Sequence, residues 1–599
     1  MSKPKAKKMD RRTAKSIFFR LCGYVFSYWY LFVPAVVFTL LSNQLSLLGP
    51  MYSGEAIDAL SAAAGVDFDT VWVNAVRMIA CYVASAILSY VLSVIMIHMG
   101  QKIVYTMRRQ LFEKLTSLPV GYFDTHPTGD IISHISYDID TVNASLSHDL
   151  VQIMTSIYTV VGSLIFMWNV SKPLIAVFVI TIPISLIFTR YRSRKVRPLF
   201  HTRSKKLGEL NGYAEEMLSG CRSIQAYSRE EEISSRFNRR NTDSMDAYYK
   251  ADYHACIMGP SMSFINNLSI SLVMMLGGIL YMYSQTGVVK ASSIFFITLG
   301  GVAKFIQYSR KFAGPINEFA NILSELQSAF SAAERIFKVL DEQPEVADRE
   351  DAATLENTRG EVAFKDVEFG YTPDKTILNG IDFTALSGKT VAIVGPTGAG
   401  KTTIINLLMR FYDVSSGSIE VDGRESRDYT RSSLRKAYTM VLQDTWLFKG
   451  TIFENIAYGR EGATLEEVKA AARAARIDRY IESLPDGYDT VLTDDGVNIS
   501  KGQRQLITIA RAMIANSQML ILDEATSNVD SRTEIKIQEA MNELMQGRTC
   551  FVIAHRLSTI QNADLILVLQ DGRITEQGNH EELLAQKGFY STLYNSQFS

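Results

Sequence analysis

This chain has few cysteines and almost no net charge. Of 599 residues only five are cysteine, and their scattered positions show no metal-ligand spacing. Reduced thiols with a structural role are the simplest interpretation. Sixty-one Lys and Arg stand against 62 Asp and Glu, for a formal net charge of −1. Because the overall basic field that favours nucleic-acid binding is missing, nucleic acid is not expected as a partner.

The N-terminus also lacks the pattern of a cleavable signal peptide. Residues 1–20 hold eight Lys or Arg against one acid. This basic segment leads into a long apolar stretch, whereas a signal peptide has a short one followed by a small-residue cleavage site. Residues 11–24 are instead predicted to form an amphipathic helix at a membrane surface.

Long apolar stretches dominate the first half of the chain. A membrane-spanning helix needs ~20 mostly apolar residues. Six stretches approach or meet this length, although the fourth and sixth are short or have polar edges: residues 24–48, 71–97, 150–168, 173–188, 257–283 and 294–308. Residues 1–328 are therefore predicted to be a transmembrane domain of six helices with both ends on one side.

The charge of the loops indicates which side that is. Residues 49–70 contain four acids and no Lys or Arg, whereas segments 101–147 and 190–253 are rich in both basic residues. Positive charge concentrates on the cytoplasmic side of membrane proteins. We therefore expect a multi-pass protein of the cell (plasma or inner) membrane, surrounded by lipid, with its N-terminus and its second half in the cytoplasm.

The two long cytoplasmic segments have apolar residues at helical spacing. They are predicted to extend the membrane helices, with short turns near residues 121–129 and 207–220. A separate regulatory insert is the alternative.

Polar residues inside the spans either line a pathway or join helices by hydrogen bonds. The candidates are Asn43, Gln44, Asn266 and Asn267. No charged ring stands out, so a small hydrophobic or amphipathic substrate is expected, and multidrug compounds, lipids and peptides all stay open.

The second half begins with a charged linker, residues 329–359, and then alternates strand-like and helix-like runs. This alternation predicts an α/β P-loop nucleotide-binding domain over residues 360–599. Residues 395–403 follow a strand-like stretch and precede an apolar helix. Their spacing is that of a phosphate loop, whose backbone N–H groups wrap a triphosphate. A chance Gly-rich turn rarely has this context. The loop consists of Gly395, Pro396, Thr397, Gly398, Ala399, Gly400, Lys401, Thr402 and Thr403.

Further residues complete a predicted ATP site. Lys401 would reach the β- and γ-phosphates, and Thr402 would offer its hydroxyl to Mg²⁺. An apolar run at residues 519–522 ends in Asp523, which can hold Mg²⁺, and Glu524, which can polarise the attacking water. His555 follows a second buried strand, where it can contact the γ-phosphate.

Two residues outside these strands join the predicted site. The amide of Gln443 can contact Mg²⁺ and water from a loop. Upstream of the phosphate loop, Tyr371 offers an aromatic face on which adenine can stack. Neither signal is specific by itself, because surface tyrosines and glutamines are common.

Residues 498–505, Asn-Ile-Ser-Lys-Gly-Gln-Arg-Gln, resemble the signature of ATP-binding cassette (ABC) proteins. With the preceding motifs, they make essentially the whole chain resemble an ABC exporter half-transporter. In that family two cassettes close head to tail, with each ATP between the phosphate loop of one chain and the signature of the other. The resemblance therefore implies a dimer. It also implies two coupling helices that dock on cassettes, here near residues 128–131 and 211–218.

One position departs from the family pattern. The usual Leu-Ser-Gly-Gly-Gln is here Ile499, Ser500, Lys501, Gly502 and Gln503. Lysine replaces a glycine that permits close backbone approach, so its side chain either clashes with the phosphate or adds charge beside it. The family includes bacterial heterodimeric multidrug-type exporters with one degenerate site, and this chain resembles the subunit that retains the catalytic glutamate. A heterodimer is favoured, and a homodimer that tolerates the substitution is the alternative.

The resemblance implies ATP-driven export by alternating access, with ATP and Mg²⁺ as cofactors. On this interpretation Glu524, His555 and Gln443 are catalytic, and Thr402, Gln443 and Asp523 hold the metal. An ATP-gated channel or regulatory subunit with little turnover is one alternative, which the intact Asp523–Glu524–His555 set argues against. A soluble cassette ATPase acting on nucleic acid or ribosomes is another, which the apolar spans argue against.

Overall fold

The computed structural model describes residues 11–61, 66–286, 288–289, 293–442, 445–493, 499–523, 530–553 and 560–598. The chain divides into two compact units. The first comprises Met1–Thr116 and Thr128–Glu342, and the second comprises Ser117–Pro127 and Gln343–Ser599.

Helices build the described part of the first unit. Two π-helical turns, His134–Asp138 and Ser145–Asp149, interrupt the stretch between α5 and α7. The helices up to residue 341, of which α4 belongs to the second unit, are α1 (Arg11–Ser27), α2 (Trp29–Leu60), α3 (Phe68–Thr116), α4 (Val120–Thr125), α5 (Thr128–Ser133), α6 (Ile139–Ala144), α7 (Leu150–Val170), α8 (Lys172–Ser219), α9 (Cys221–Ala226), α10 (Glu230–Cys256), α11 (Met258–Gln285) and α12 (Leu299–Asp341).

Five helical stretches in the described residues are long and apolar enough to cross a membrane. Large apolar side chains such as Trp72 and Tyr90 are exposed along α3, as expected of a surface that faces lipid. The sixth predicted span overlaps the start of α12, where Lys304, Arg310 and Lys311 interrupt the apolar run. The five stretches are Trp29–Leu60, Phe68–Thr116, Thr128–Val170, Lys172–Ser219 and Glu230–Gln285.

The cytoplasmic extensions differ in detail from the sequence prediction. The first turns where expected, between the end of α3 and the start of α5, but the segment that belongs to the second unit is Ser117–Pro127. The predicted docking residues 128–131 begin α5, and their docking stays a prediction. The second extension stays helical through residues 211–218 and breaks at Gly220 and again between α9 and α10. Glu209 lies 3.8 Å from Lys205 and 3.1 Å from Lys206, and such pairs support a continuous helix.

The second unit is an α/β domain around a six-stranded sheet with the order β12-β11-β3-β10-β9-β6. The five strands from β11 to β6 run parallel, and β12 is an antiparallel edge. A four-stranded antiparallel sheet has the order β2-β1-β4-β5. The strands are β1 (Val362–Phe369), β2 (Leu378–Ala385), β3 (Thr390–Val394), β4 (Ser416–Val421), β5 (Arg424–Glu425), β6 (Tyr438–Val441), β7 (Gly450–Thr451), β8 (Val491–Leu492), β9 (Met519–Asp523), β10 (Thr549–Ile553), β11 (Leu565–Gln570) and β12 (Arg573–Gly578).

Helices cover the parallel sheet, whose central strands are almost wholly apolar. All five residues of β10 are buried, as is usual for a parallel strand covered on both faces. The remaining helices are α13 (Lys401–Leu408), α14 (Arg431–Lys436), α15 (Ile452–Ala457), α16 (Leu465–Ala474), α17 (Asp478–Glu482), α18 (Lys501–Ala515), α19 (Ser531–Met545), α20 (His580–Gln586) and α21 (Phe589–Phe598).

The predicted linker, residues 329–359, has two parts in the structure. Its first part continues α12 to Asp341. Its second part is held within the second unit, where the Glu345 N–H donates to the Ser117 carbonyl at 2.9 Å and Arg435 donates to the Glu345 carboxylate at 3.1 Å.

Candidate functional site

The predicted nucleotide motifs follow the carboxyl ends of neighbouring parallel strands. The phosphate loop follows β3, and Asp523 is the last residue of β9. The described part of the chain reaches Leu442 just after β6 and Ile553 at the end of β10. Three of the predicted site residues follow these strand ends and lie outside the described residues: Gln443, Glu524 and His555. Ligands of open α/β sheets bind at this edge.

Glycine is required at two positions of the phosphate loop. A Cβ at Gly395 would lie 2.2 Å from the carbonyl oxygen of Leu569. Gly400 has φ +105°, and a Cβ there would lie 2.6 Å from Cδ2 of Leu378. The loop therefore keeps a bare backbone, against which a phosphate group can approach closely.

The first turn of α13 points its backbone N–H groups toward the loop. Gly400 precedes the helix and provides no side-chain cap. The side chain of Thr402 is exposed, whereas that of Thr403 is buried. Uncapped N–H groups and the positive end of the helix dipole together favour an anion at this point.

Lys401 lies folded over the phosphate loop. Its Nζ donates to the carbonyl oxygens of Gly395 at 2.7 Å and Pro396 at 3.0 Å. Partial burial lowers the pKa of Lys401, and the negative charge of Asp523 opposes that shift. A partly desolvated ammonium beside an acidic residue, within an uncapped glycine loop, fits a nucleotide phosphate with its divalent cation.

Tyr371 lies against α13. Its hydroxyl donates to Oγ1 of Thr403 at 3.3 Å and accepts from Nδ2 of Asn406 at 3.0 Å. Its ring, which is 45% exposed, meets the rings of Phe369 and Tyr412 edge to face, each at 5.0 Å between centroids. The aromatic residue predicted to meet adenine is thus fixed to the helix that follows the phosphate loop.

Tyr412 connects this aromatic group to α4, a connection that the sequence analysis missed. Its hydroxyl donates to Oδ2 of Asp124 at 2.5 Å. A Cβ at Gly121 would lie 3.0 Å from the Tyr412 ring, so α4 packs closely there. Burial and the Asp124 carboxylate raise the pKa of Tyr412, which keeps the phenol protonated as a donor. The two partners are 288 residues apart, and no local pattern joins them.

The signature-like segment begins α18. The Gln503 N–H donates to Oγ of Ser500 at 3.2 Å, and the Ser500 N–H donates to Oε1 of Gln503 at 2.8 Å. This reciprocal pair is a capping box. Lys501 is the first helical residue and is exposed, whereas Gly502 is buried. The lysine therefore stands at the positive end of the helix with its side chain in solvent.

The intramembrane polar candidates fall into two groups. Asn43 donates to the Thr39 carbonyl at 2.7 Å, and Gln44 accepts from the Tyr158 hydroxyl at 2.6 Å. These two amides join α2 internally and to α7, as helix-packing residues do. Asn266 instead lines a cavity of about 40 Å³ beside Met262.

Comparison with known proteins gives matches to both halves. The sequence model described as "ABC transporter transmembrane region" matches residues 31–302, and that described as "ABC transporter" matches residues 378–527. The chain is 40% identical over 592 residues to YfiC, an uncharacterized ABC transporter ATP-binding protein of Bacillus subtilis. That alignment covers 99% of this chain and 96% of the relative.

Two further matches cover most of the chain. A fatty acid ABC transporter ATP-binding/permease protein of Mycobacterium bovis is 44% identical over 88% of this chain and 81% of its own length. The structure of a bacterial Atm1-family ABC exporter with ATP bound superposes with a TM-score of 0.76 at 29% identity, covering 95% of this chain and 98% of the other.

These matches confirm the predicted fold class, a helical membrane domain joined to an α/β P-loop domain. They also confirm ATP binding and the activity of an ATPase coupled to transport. The chain belongs to the ABC transporters, as an exporter that carries its transmembrane and ATP-binding domains in one polypeptide.

Proposed function

We propose that this exporter moves a hydrophobic or amphipathic substrate of the lipid or fatty-acid class out of the cytoplasmic side of the membrane by alternating access. One observation carries the ATP-driven part: the glycine loop with Lys401 follows β3, and Asp523 ends β9, at the carboxyl ends of two parallel strands that flank β10 in one sheet. The fatty acid transporter of Mycobacterium bovis supports the substrate class, as does the apolar character of the spans.

The residues of the sheet edge have separate roles in this proposal. Lys401 neutralises the β- and γ-phosphates, and Tyr371 meets the adenine. Asp523, Thr402 and Gln443 provide oxygen ligands for Mg²⁺, which supplies charge neutralisation when bound. No cluster of three or more His, Cys, Asp or Glu suited to a metal occurs among the described residues. Glu524 polarises the attacking water, and His555 contacts the γ-phosphate.

The assembly is a dimer, with the heterodimer favoured. Lys501 begins α18 where the family pattern has glycine. In a head-to-tail pair, Ser500, Lys501, Gly502 and Gln503 face the partner's ATP, and the partner's signature completes the site that contains Glu524. Co-purification from the native host tests this assembly. A stoichiometric second half-transporter with an intact signature and no catalytic glutamate is expected, and recovery of this chain paired only with itself contradicts it.

Replacement of the proposed water-polarising residue tests the hydrolytic role. Glu524→Gln should abolish steady ATP turnover and leave nucleotide binding intact, because the amide cannot act as a base. Glu581→Gln, which changes an exposed glutamate in α20 of the same domain, is the matched control and should keep wild-type turnover. Normal turnover by a correctly assembled Glu524→Gln protein would show that another residue polarises the water.

A further inference from the structure

An apolar cavity of about 300 Å³ lies between α1, α12 and the chain that leads into α7. Its lining is hydrocarbon apart from Cys22 and Ser145. All of its lining residues belong to the first unit. Its walls include Phe18, Cys22, Ser145, Leu146, Ala329 and Phe330.

The size and chemistry of this cavity suit an alkyl chain. A cavity of about 150 Å³ with similar walls holds benzene, so this one has room for about ten to twelve carbons of a longer acyl chain. A buried water molecule needs several polar partners. These apolar walls do not provide them, so water is not stabilised in the cavity. The cavity is bordered by the π-helical turn Ser145–Asp149, and π-turns are frequent at functional sites.

The surroundings of the cavity point to a membrane lipid. The helix α1 ends next to Trp29 and Tyr30, which are both exposed. Exposed aromatic residues of this kind mark the membrane–water interface. Lys15 lies one turn before Phe18 and two turns before Cys22, so helical spacing puts it on the same side of α1. It is exposed, close to where a phosphate headgroup would lie.

We propose that this cavity binds one acyl chain of an anionic membrane phospholipid, with Lys15 facing the headgroup. Lipid binding at this cavity does not require the exported substrate to be a lipid. A lipid held there would fix α1 against α12, the helix that leads into the cassette.

Cys22 provides a probe of occupancy in the unaltered full-length protein. The protein is purified in digitonin, which has no alkyl chain, and alkylated with N-ethylmaleimide at alkaline pH, because burial raises the pKa of the Cys22 thiol. Mass spectrometry follows Cys22 together with the exposed Cys221 and Cys256. Dioleoylphosphatidylglycerol at about ten times its Kd should slow only Cys22, by about tenfold.

Two variants and two further lipids sharpen the test. Ala329→Phe fills the cavity and should abolish the protection. Phe18→Ala removes part of the wall and should weaken it, whereas Val33→Ala, which changes an exposed residue of α2 outside the lining, should not. Dioleoylphosphatidylcholine should protect less than phosphatidylglycerol, and Lys15→Gln should remove that difference.

Three results would overturn the proposal, each on the unaltered protein and so independent of how the variants fold. Cys22 reacts at the same rate with and without phosphatidylglycerol, or the lipid slows all three thiols equally. Alternatively, oleate protects Cys22 and phosphatidylglycerol does not, which would assign the cavity to a free fatty acid.

Discussion

Two helices of the cassette begin with lysine, yet they begin in different ways. At α13 the residue before Lys401 is an uncapped glycine, and the Lys401 ammonium folds back onto backbone carbonyls. At α18 the residue before Lys501 is Ser500, which forms a capping box with Gln503. The first backbone N–H groups of α13 have no side-chain cap and are open to a ligand. At α18, the side chain of Ser500 accepts a hydrogen bond from one such N–H group.

The two helix N-termini look alike in sequence, but their caps suit them to different functions. A glycine-preceded start with a partly buried lysine is prepared for close contact with phosphate. A capped start keeps its shape without a ligand, as expected of a surface that closes on a nucleotide held by another chain. We therefore expect Lys401 to be essential for ATP turnover and Lys501 to modulate it.

The largest expected effect is at Lys401. Lys401→Met should reduce ATP turnover by about 100-fold or more, since a preorganised charge beside the transferring phosphate is lost. Turnover by the purified protein and binding of a fluorescent nucleotide measure the effect. Lys436→Met, at the end of α14, is the control. If Lys401→Met keeps ATP turnover within a few-fold of wild type, Lys401 is not essential and the contrast with Lys501 is wrong.

Loss of the hydrogen bond between Tyr412 and Asp124 of α4 should have a moderate effect on ATP turnover. Tyr412→Phe removes the hydrogen bond to Asp124, worth about a fivefold change in an equilibrium. We expect substrate stimulation of turnover to fall by about that factor while nucleotide affinity stays unchanged, because the ring contact with Tyr371 is kept. The control is Tyr458→Phe, at an exposed tyrosine of the same domain. Equal loss of basal and stimulated turnover would assign Tyr412 to the ATP site alone.

A smaller effect is expected at the cap of α18. Ser500→Ala removes the side-chain cap, which costs about 1 kcal/mol. The thermal midpoint of the cassette should fall by about 2–4 °C, and nucleotide binding at the chain's own phosphate loop should not change. Ser500→Asp, which preserves the cap, should restore the midpoint. An unchanged midpoint for Ser500→Ala would show that the box contributes no stability.

The smallest effect on stability is expected at Lys501. A positive side chain opposes the helix dipole at this end, so Lys501→Glu should raise the thermal midpoint slightly without nucleotide. Turnover decides between the two interpretations of this lysine. If Lys501 adds charge beside the partner's ATP, both Lys501→Glu and Lys501→Gly lower turnover; if it obstructs the phosphate, Lys501→Gly raises it.

Features that depend on the spacing of nearby residues could be predicted from the sequence. The phosphate loop, the strand before it and the helix after it all follow from one continuous stretch. The capping box of α18 is also encoded locally, by the spacing Ser-x-x-Gln. By contrast, the Tyr412–Asp124 contact depends on the tertiary fold. The assignment of Ser117–Pro127 to the second unit likewise depends on tertiary contacts, and no apolar pattern marks it.

Transport itself tests the central claim most directly. Proteoliposomes that contain the assembled exporter, with cassettes facing outward, are given ATP and Mg²⁺ and a fluorescent fatty acid or phospholipid. The account predicts ATP-dependent accumulation against a gradient by the wild-type protein and none by Glu524→Gln. Equal accumulation by both proteins, or movement only down the gradient, would contradict ATP-driven export.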